Sequence, residues 1–111
     1  MKPGLTLGLI LVVAIALPLF SAGKGDAAAG KVVFAKRCAS CHGPEGEGKE
    51  AIAKMFKVEM HHLGAKGVQA KSDADLQKIV TQGTGKMKAV TGLSEKELTD
   101  LLAYLRTLSK K

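Results

Sequence analysis

The chain has 111 residues, a formal net charge of +7 and only 4% aromatic residues. Its length allows one small domain and excludes a second independent core. The lysines are spread along the chain, which is typical of a solvated surface, and we expect no nucleic-acid partner.

Residues 1–23 have the features of a secretory signal peptide. Lys2 precedes an apolar run over residues 4–20, and the small residues from Ser21 onward offer a cleavage site. The alternative is an uncleaved membrane anchor, but the run is short for a bilayer span, which usually needs about 20 apolar residues. We therefore expect a cleaved signal peptide and a periplasmic domain at residues 24–111, with no stable membrane anchor.

After residue 23 the chain keeps three aromatic residues, namely Phe34, Phe56 and Tyr104. A core with so few large side chains is thin, and small domains of this kind usually need an additional cross-link or cofactor. A buried macrocycle would supply what the side chains lack.

The first predicted helix extends from about Asp26 to Arg37. The Asp26 carboxylate can cap the first free backbone N–H groups, and the alanines that follow favour helix propagation. Gly30 and Phe34 lie one turn apart on the same face. A weaker helical signal covers Lys49 to Phe56, and strand-like alternation is absent from the sequence, so we predict an all-α fold.

The second predicted helix begins after Ser72, an N-cap with Asp75 three residues later. It ends at Gly83, a residue suited to the left-handed position that follows a helix. The side chains expected to be buried are Leu76, Ile79 and Val80.

The third predicted helix has the strongest local signals in the chain. Ser94 and Glu97 form a capping box, and Leu93 and Leu98 occupy the hydrophobic-staple positions. Helical spacing then places one apolar stripe on this helix, made of Leu98, Leu101, Leu102, Leu105 and Leu108.

The most specific motif is Cys38-Ala-Ser-Cys41-His42. Two thiols at this spacing can each add to a vinyl group of one porphyrin, and the adjacent imidazole then reaches the iron as an axial ligand. A thioredoxin-like dithiol would need a βαβ pattern, and a zinc site would need four ligands, whereas His61 and His62 are adjacent rather than three to five residues apart. The motif predicts one covalent haem c, with the dithiol and zinc sites as alternatives.

The stretch over residues 25–34, followed by residues 38–43, resembles the small bacterial class I cytochromes c. In that family a glycine and an aromatic residue of the N-terminal helix pack against an aromatic residue of the C-terminal helix, and the matching residues here are Gly30, Phe34 and Tyr104. The resemblance covers roughly residues 26–108 and is weak over residues 49–71. It implies a small cytochrome c fold of three to five helices packed around one covalent haem.

Class I members use a methionine in the loop before the C-terminal helix as the second axial ligand, and Met87 stands at that place. A neutral, soft thioether favours Fe(II) and raises the reduction potential. The alternative is a histidine from the weakly matching region, where His61 or His62 would give a bis-His haem of lower potential. The resemblance therefore implies His42 and Met87 as the axial ligands, with bis-His ligation as the alternative.

The sequence departs from the family pattern at two places. The residue after the methionine is commonly a proline that stiffens the loop, and here it is Lys88. The family also has a proline whose carbonyl accepts the N–H of the proximal histidine, and Pro44 is too close to His42 to be that residue. We expect another backbone carbonyl, between Gly46 and Phe56, to orient His42.

A haem with both axial positions filled by the protein can exchange electrons but does not readily bind a substrate. We therefore expect an exported monohaem electron-transfer protein that cycles Fe(III)/Fe(II) and is not an enzyme. Its partners would be redox proteins, and Lys86 and Lys88 beside Met87 would attract acidic ones. The alternative is a bis-His or open-site haem protein that binds small ligands, such as a sensor or a peroxidase-like protein.

Overall fold

The computed structural model describes residues 25–109, together with Gly4, Gly8 and residues 10–12. The predicted signal peptide over residues 1–23 therefore lies almost wholly outside the described residues. The described part of the chain contains six helical segments and no β-strand: α1 (Ala27–Arg37), α2 (Ala39–His42), α3 (Glu50–Phe56), α4 (Lys66–Gln69), α5 (Asp73–Gln82) and α6 (Glu95–Thr107).

The core is centred on the crossing of α1 and α6. A Cβ at Gly30 would overlap the Asp100 carbonyl and would stand 2.9 Å from Tyr104 Cβ, so only glycine allows this approach. The rings of Phe34 and Tyr104 fill the crossing with their centroids 5.2 Å apart and their planes at 55°. The expected packing of the first and last helices is thereby confirmed.

Asp100 is the buried charged residue at this crossing, with 4% of its surface exposed. Its Oδ1 accepts the backbone N–H of Asp26 at 2.8 Å, and its Oδ2 is 2.6 Å from Lys96 Nζ. The hydrogen bond from Lys96, followed by that from the Asp26 backbone, holds the pKa of Asp100 below its usual range. Asp100 thus anchors the start of α1 to the middle of α6.

The three predicted N-caps are confirmed. Asp26 accepts from the N–H of Ala28 at 2.9 Å, and Ser72 Oγ accepts from the N–H of Asp75 at 3.0 Å. Both hydrogen bonds of the Ser94–Glu97 capping box are present, each at 3.1 Å. These local signals start α1, α5 and α6 where the sequence predicts.

One further α1 side chain, two from α5 and four leucines of α6 complete the core, and these are Val33, Leu76, Val80, Leu98, Leu101, Leu102 and Leu105. Ile79, which was predicted to be buried, is half-buried, and so is Leu108 at the end of the predicted apolar stripe. Gly83 ends α5 as predicted, and its φ of 76° is positive. Its ψ of 173° is extended, however, so the residue does not have the predicted left-handed helical conformation.

A polar cluster on Arg106 joins α6 to the segment between α4 and α5. Nη1 donates to the Gln69 carbonyl at 2.8 Å, and Nη2 donates to the Lys71 carbonyl and to Asp73 Oδ1, each at 2.7 Å. Gln69 Nε2 in turn donates to the carbonyl oxygens of Leu63 and Leu105. The segment over residues 63–73, most of which lies where the family resemblance is weak, is therefore fixed to α6 by hydrogen bonds as well as by apolar contacts.

The all-α fold is confirmed, and the weak helical signal over Lys49 to Phe56 corresponds to α3. The number of helical segments exceeds the expected three to five because α2 and α4 are separate four-residue turns. Among the residues that the structure describes, no helix is long and apolar enough to cross a membrane.

Candidate functional site

The two cysteines lie on a single helical turn that follows α1 directly. Cys38 ends α1, with its N–H donating to the Phe34 carbonyl at 2.8 Å, and α2 starts at the next residue. The N–H groups of Cys41 and His42 donate to the Cys38 carbonyl at 3.2 and 3.0 Å. Because α1 is anchored to α6, the helical turn of the two cysteines follows directly from a fixed part of the fold.

Both thiols are free and half-buried. Burial raises the pKa of Cys38 to about 11, against a smaller opposing effect from the neighbouring charge of Arg37. The Cys38 thiol is therefore protonated at neutral pH, whereas the attacking cysteine of a redox-active dithiol has a lowered pKa.

The His42 imidazole is half-buried beside the thiols. Burial lowers the pKa of His42, so the ring is neutral at neutral pH, and the neutral ring is the form that ligates a metal. Its Nδ1 is buried and has no hydrogen-bond partner within the described residues. The prediction that a carbonyl between Gly46 and Phe56 accepts from His42 was wrong, since no such hydrogen bond is formed among the described residues.

The segment after His42 folds back as a tight loop. The Gly48 N–H donates to the His42 carbonyl at 2.6 Å, and the Gly46 carbonyl accepts from the Leu63 N–H at 2.8 Å. A Cβ at Gly48 would stand 3.1 Å from the Met60 carbonyl, so the two segments run in close contact. Residues 60–63 thus lie against the residues that immediately follow His42.

The two adjacent histidines occupy this same segment. His61 is exposed, whereas His62 is half-buried and its Nδ1 accepts from the Gly64 N–H at 2.8 Å. The His62 ring borders an open cleft of about 440 Å³ with Lys31 and Tyr104, on the flank of the α1–α6 crossing. Neither histidine joins a metal cluster, and no group of three or more potential ligands from His, Cys, Asp and Glu is formed by the described residues.

Met87 lies in the loop between α5 and α6 and is half-buried. Its N–H donates to the Thr84 carbonyl at 2.8 Å, and its carbonyl accepts from the Thr84 N–H at 3.0 Å. The Val90 N–H donates to the Val80 carbonyl at 2.8 Å, and the Val90 and Leu93 side chains pack on the core. The loop therefore has a defined shape even though Lys88 stands where the resembling family commonly has proline.

The sequence matches known proteins over most of its length. The family model described as cytochrome C oxidase, cbb3-type, subunit III matches residues 25–105. Cytochrome c-554(547) of Halothiobacillus neapolitanus is 36% identical over 90 residues, which are 76% of this chain and 98% of that protein. The chain belongs to the cytochrome c family. Cytochrome c6 of Synechocystis sp. is 33% identical over 98 residues, which are 84% of this cytochrome and 78% of the relative.

A solved structure shares the fold of this cytochrome. The KustC0563 c-type cytochrome superposes with a TM-score of 0.62 at 21% identity, over 73% of this chain and 98% of that one. The expected small cytochrome c fold is confirmed by this likeness.

Cytochromes c act in electron transfer and bind haem c covalently, so the predicted cofactor is confirmed. The residues of this chain fit such a group. Cys38 and Cys41 are two free thiols one helical turn apart, and His42, which follows Cys41 in the chain, carries a neutral, half-buried imidazole. Cys38 and Cys41 are not joined in a disulfide, so both sulfur atoms are available for thioether bonds.

Two residues of the site were missed in the sequence. Arg37 Nη2 donates to the Thr91 carbonyl at 2.8 Å, which links the residue before Cys38 to the loop of Met87. Asp100 anchors α1, which carries Cys38. Neither position has a local signal, since Arg37 follows another basic residue and Asp100 resembles an exposed partner of Lys96.

Proposed function

We propose that the chain is an exported monohaem electron-transfer protein in which Cys38 and Cys41 attach the haem. The observation that carries the proposal is the pair of free thiols on one helical turn, with a neutral imidazole adjacent to them. When bound, the haem supplies one-electron Fe(III)/Fe(II) chemistry. The residues of this chain would attach the macrocycle and would supply the axial ligands of its iron.

We assign His42 as the proximal ligand. Its ring is neutral and half-buried, and the backbone on both sides of it is fixed by hydrogen bonds to the Cys38 carbonyl and from the Gly48 N–H. The backbone that carries the neutral imidazole is therefore fixed, which supports His42 as a ligand. The axial position opposite His42 must then be filled from another part of the chain.

We assign Met87 as the distal ligand, in preference to His61 and His62. The histidine segment contacts the loop that follows His42, which supports a place for it on the proximal side of the haem. The hydrogen bond from Gly64 to His62 Nδ1 also opposes rotation of that ring toward another partner. Met87 lies on a different loop, which is joined to α5 and to Arg37 beside the cysteines.

The remaining parts of the proposal concern the setting of the protein. Residues 1–23 would act as a cleaved signal peptide, so that residues 24–111 form a periplasmic protein without a membrane anchor. With both axial positions filled by the chain, the protein would not be an enzyme. Its redox partners would approach the exposed Lys86 and Lys88 and would carry acidic surfaces.

A ligand series tests the axial assignments. In oxidised holoprotein, Met87→Ala should abolish the sulfur-to-iron charge-transfer band, lower the reduction potential and admit external imidazole. His61→Ala and His62→Ala are the matched controls and should keep the wild-type band and potential. If Met87→Ala leaves both unchanged while a histidine variant alters them, bis-His ligation is correct. A high-spin spectrum of the wild type would instead favour the open-site protein.

A further inference from the structure

Arg37 links the cysteine turn to the loop of Met87. It is the last residue of α1 and precedes Cys38, and its Nη2 donates to the Thr91 carbonyl at 2.8 Å across 54 positions of sequence. A guanidinium that donates to a backbone carbonyl forms a charge-assisted hydrogen bond, which is stronger than a neutral one. The link therefore joins the two parts of the chain that would hold the two faces of the haem.

Few other hydrogen bonds attach this loop to the protein. The two bonds between Thr84 and Met87 are internal to the loop and move with it. In the described part of the chain, the hydrogen bonds from residues 84–93 to residues outside that range are the one between Val90 and Val80 and the one from Arg37 to Thr91. The hydrogen bond between Val90 and Val80 ties the loop only to the neighbouring end of α5. Among the described residues, Arg37 therefore provides the only hydrogen bond between this loop and α1.

We propose that Arg37 is a positioning residue for the distal ligand, because its guanidinium keeps the Met87 loop closed over the haem. This inference rests on the proposed ligation by Met87. An external ligand must wait for the loop to open, so its apparent dissociation constant equals the intrinsic one divided by the open fraction. Loss of one hydrogen bond that exists only in the closed state should raise that fraction about threefold to tenfold.

The test compares purified holoproteins carrying Arg37→Ala and Lys36→Ala. Lys36 is the matched control because it is also basic, exposed and in the last turn of α1, and its side chain makes no hydrogen bond among the described residues. Arg37→Met is a second variant that keeps an unbranched side chain and removes the donor together with its charge, and Lys36→Ala controls for the lost charge. The measurements are imidazole titration of the oxidised protein and hydrogen exchange at the amides of Met87 and Val90.

Both Arg37 variants should bind imidazole about threefold to tenfold more tightly than wild type and Lys36→Ala. The two amides should exchange faster by the same factor, and the sulfur-to-iron band should disappear at a lower temperature. Imidazole affinity and amide exchange equal to those of Lys36→Ala would overturn the inference. If the Arg37 variants behave like Lys36→Ala while Met87→Ala abolishes the sulfur-to-iron band, the role of Arg37 is refuted and ligation by Met87 is retained. If Met87→Ala keeps the band, ligation by Met87 is itself refuted.

Discussion

Replacement of Gly30 by alanine measures how much the fold depends on the close crossing of α1 and α6. At an open helical position the change would stabilise the protein by about 1 kcal/mol, because alanine is the better helix former. Here the new Cβ would overlap the Asp100 carbonyl, which belongs to the backbone of α6 and cannot rotate away as a side chain could. Overpacking costs about 1–3 kcal/mol, and a rigid neighbour places the cost near the upper limit. We expect a net loss of about 2 kcal/mol.

The assay is guanidinium unfolding of the holoprotein, in which a lower midpoint at an unchanged slope reports lost stability. Gly67→Ala is the matched control, since Gly67 lies in α4 and a Cβ there would meet nothing within 4 Å. We expect this control to be neutral or to stabilise the protein. A Gly30→Ala protein as stable as Gly67→Ala would refute the steric reasoning, because the helices would then separate at no cost.

Three further predictions follow from charged side chains. The pKa of Asp100 is lower in the folded state than in the unfolded chain, where it is about 3.9. The Asp100 carboxylate therefore stabilises the fold above about pH 3.9, and this contribution is lost as the pH falls through the pKa of the folded state. The urea midpoint of Asp100→Asn should therefore fall less below pH 4 than that of wild type. Reversal of charge at Lys86 and Lys88 should slow electron transfer to an acidic redox protein at low salt. The effect should be smaller at physiological salt, where charges are screened beyond about 8 Å. Electron-transfer rates that do not depend on salt in either the wild type or the variant would contradict this prediction. Arg106→Ala should lower the free energy of unfolding by about 1–2 kcal/mol, since it removes hydrogen bonds to the Gln69 and Lys71 carbonyls. An unchanged denaturant midpoint would show that the hydrogen bonds of Arg106 do not stabilise the fold.

The elements that could be predicted from the sequence are those with local signals. The Ser94–Glu97 capping box, Asp26 and Ser72 each act within a few residues of their own position, so their helices begin where expected. The helices α2 and α4 were not predicted as separate elements because a four-residue turn is too short for an apolar period. The cysteine motif was evident for the same local reason, since its chemistry depends on spacing within one turn.

The features that escaped the sequence depend on residues far apart in the chain. Asp100 is buried because Gly30 brings α1 against its backbone, and the Lys96–Asp100 spacing alone resembles an exposed helical pair. Arg37 cannot be told from Lys36 by composition, and only the tertiary fold brings Thr91 within its reach. The expected carbonyl partner of His42 was inferred from a family pattern that this chain lacks, and the ring has no such partner in the described residues.

The most direct test of haem attachment is the pyridine haemochrome spectrum of protein that has been denatured and extracted with acidified solvent. Wild-type protein should keep all of its haem after extraction and should show the spectrum of a haem with both vinyl groups saturated. The Cys38→Ala, Cys41→Ala double variant should release any haem that it binds. Extractable haem in the wild type, or covalent haem in the double variant, would contradict attachment through these two cysteines.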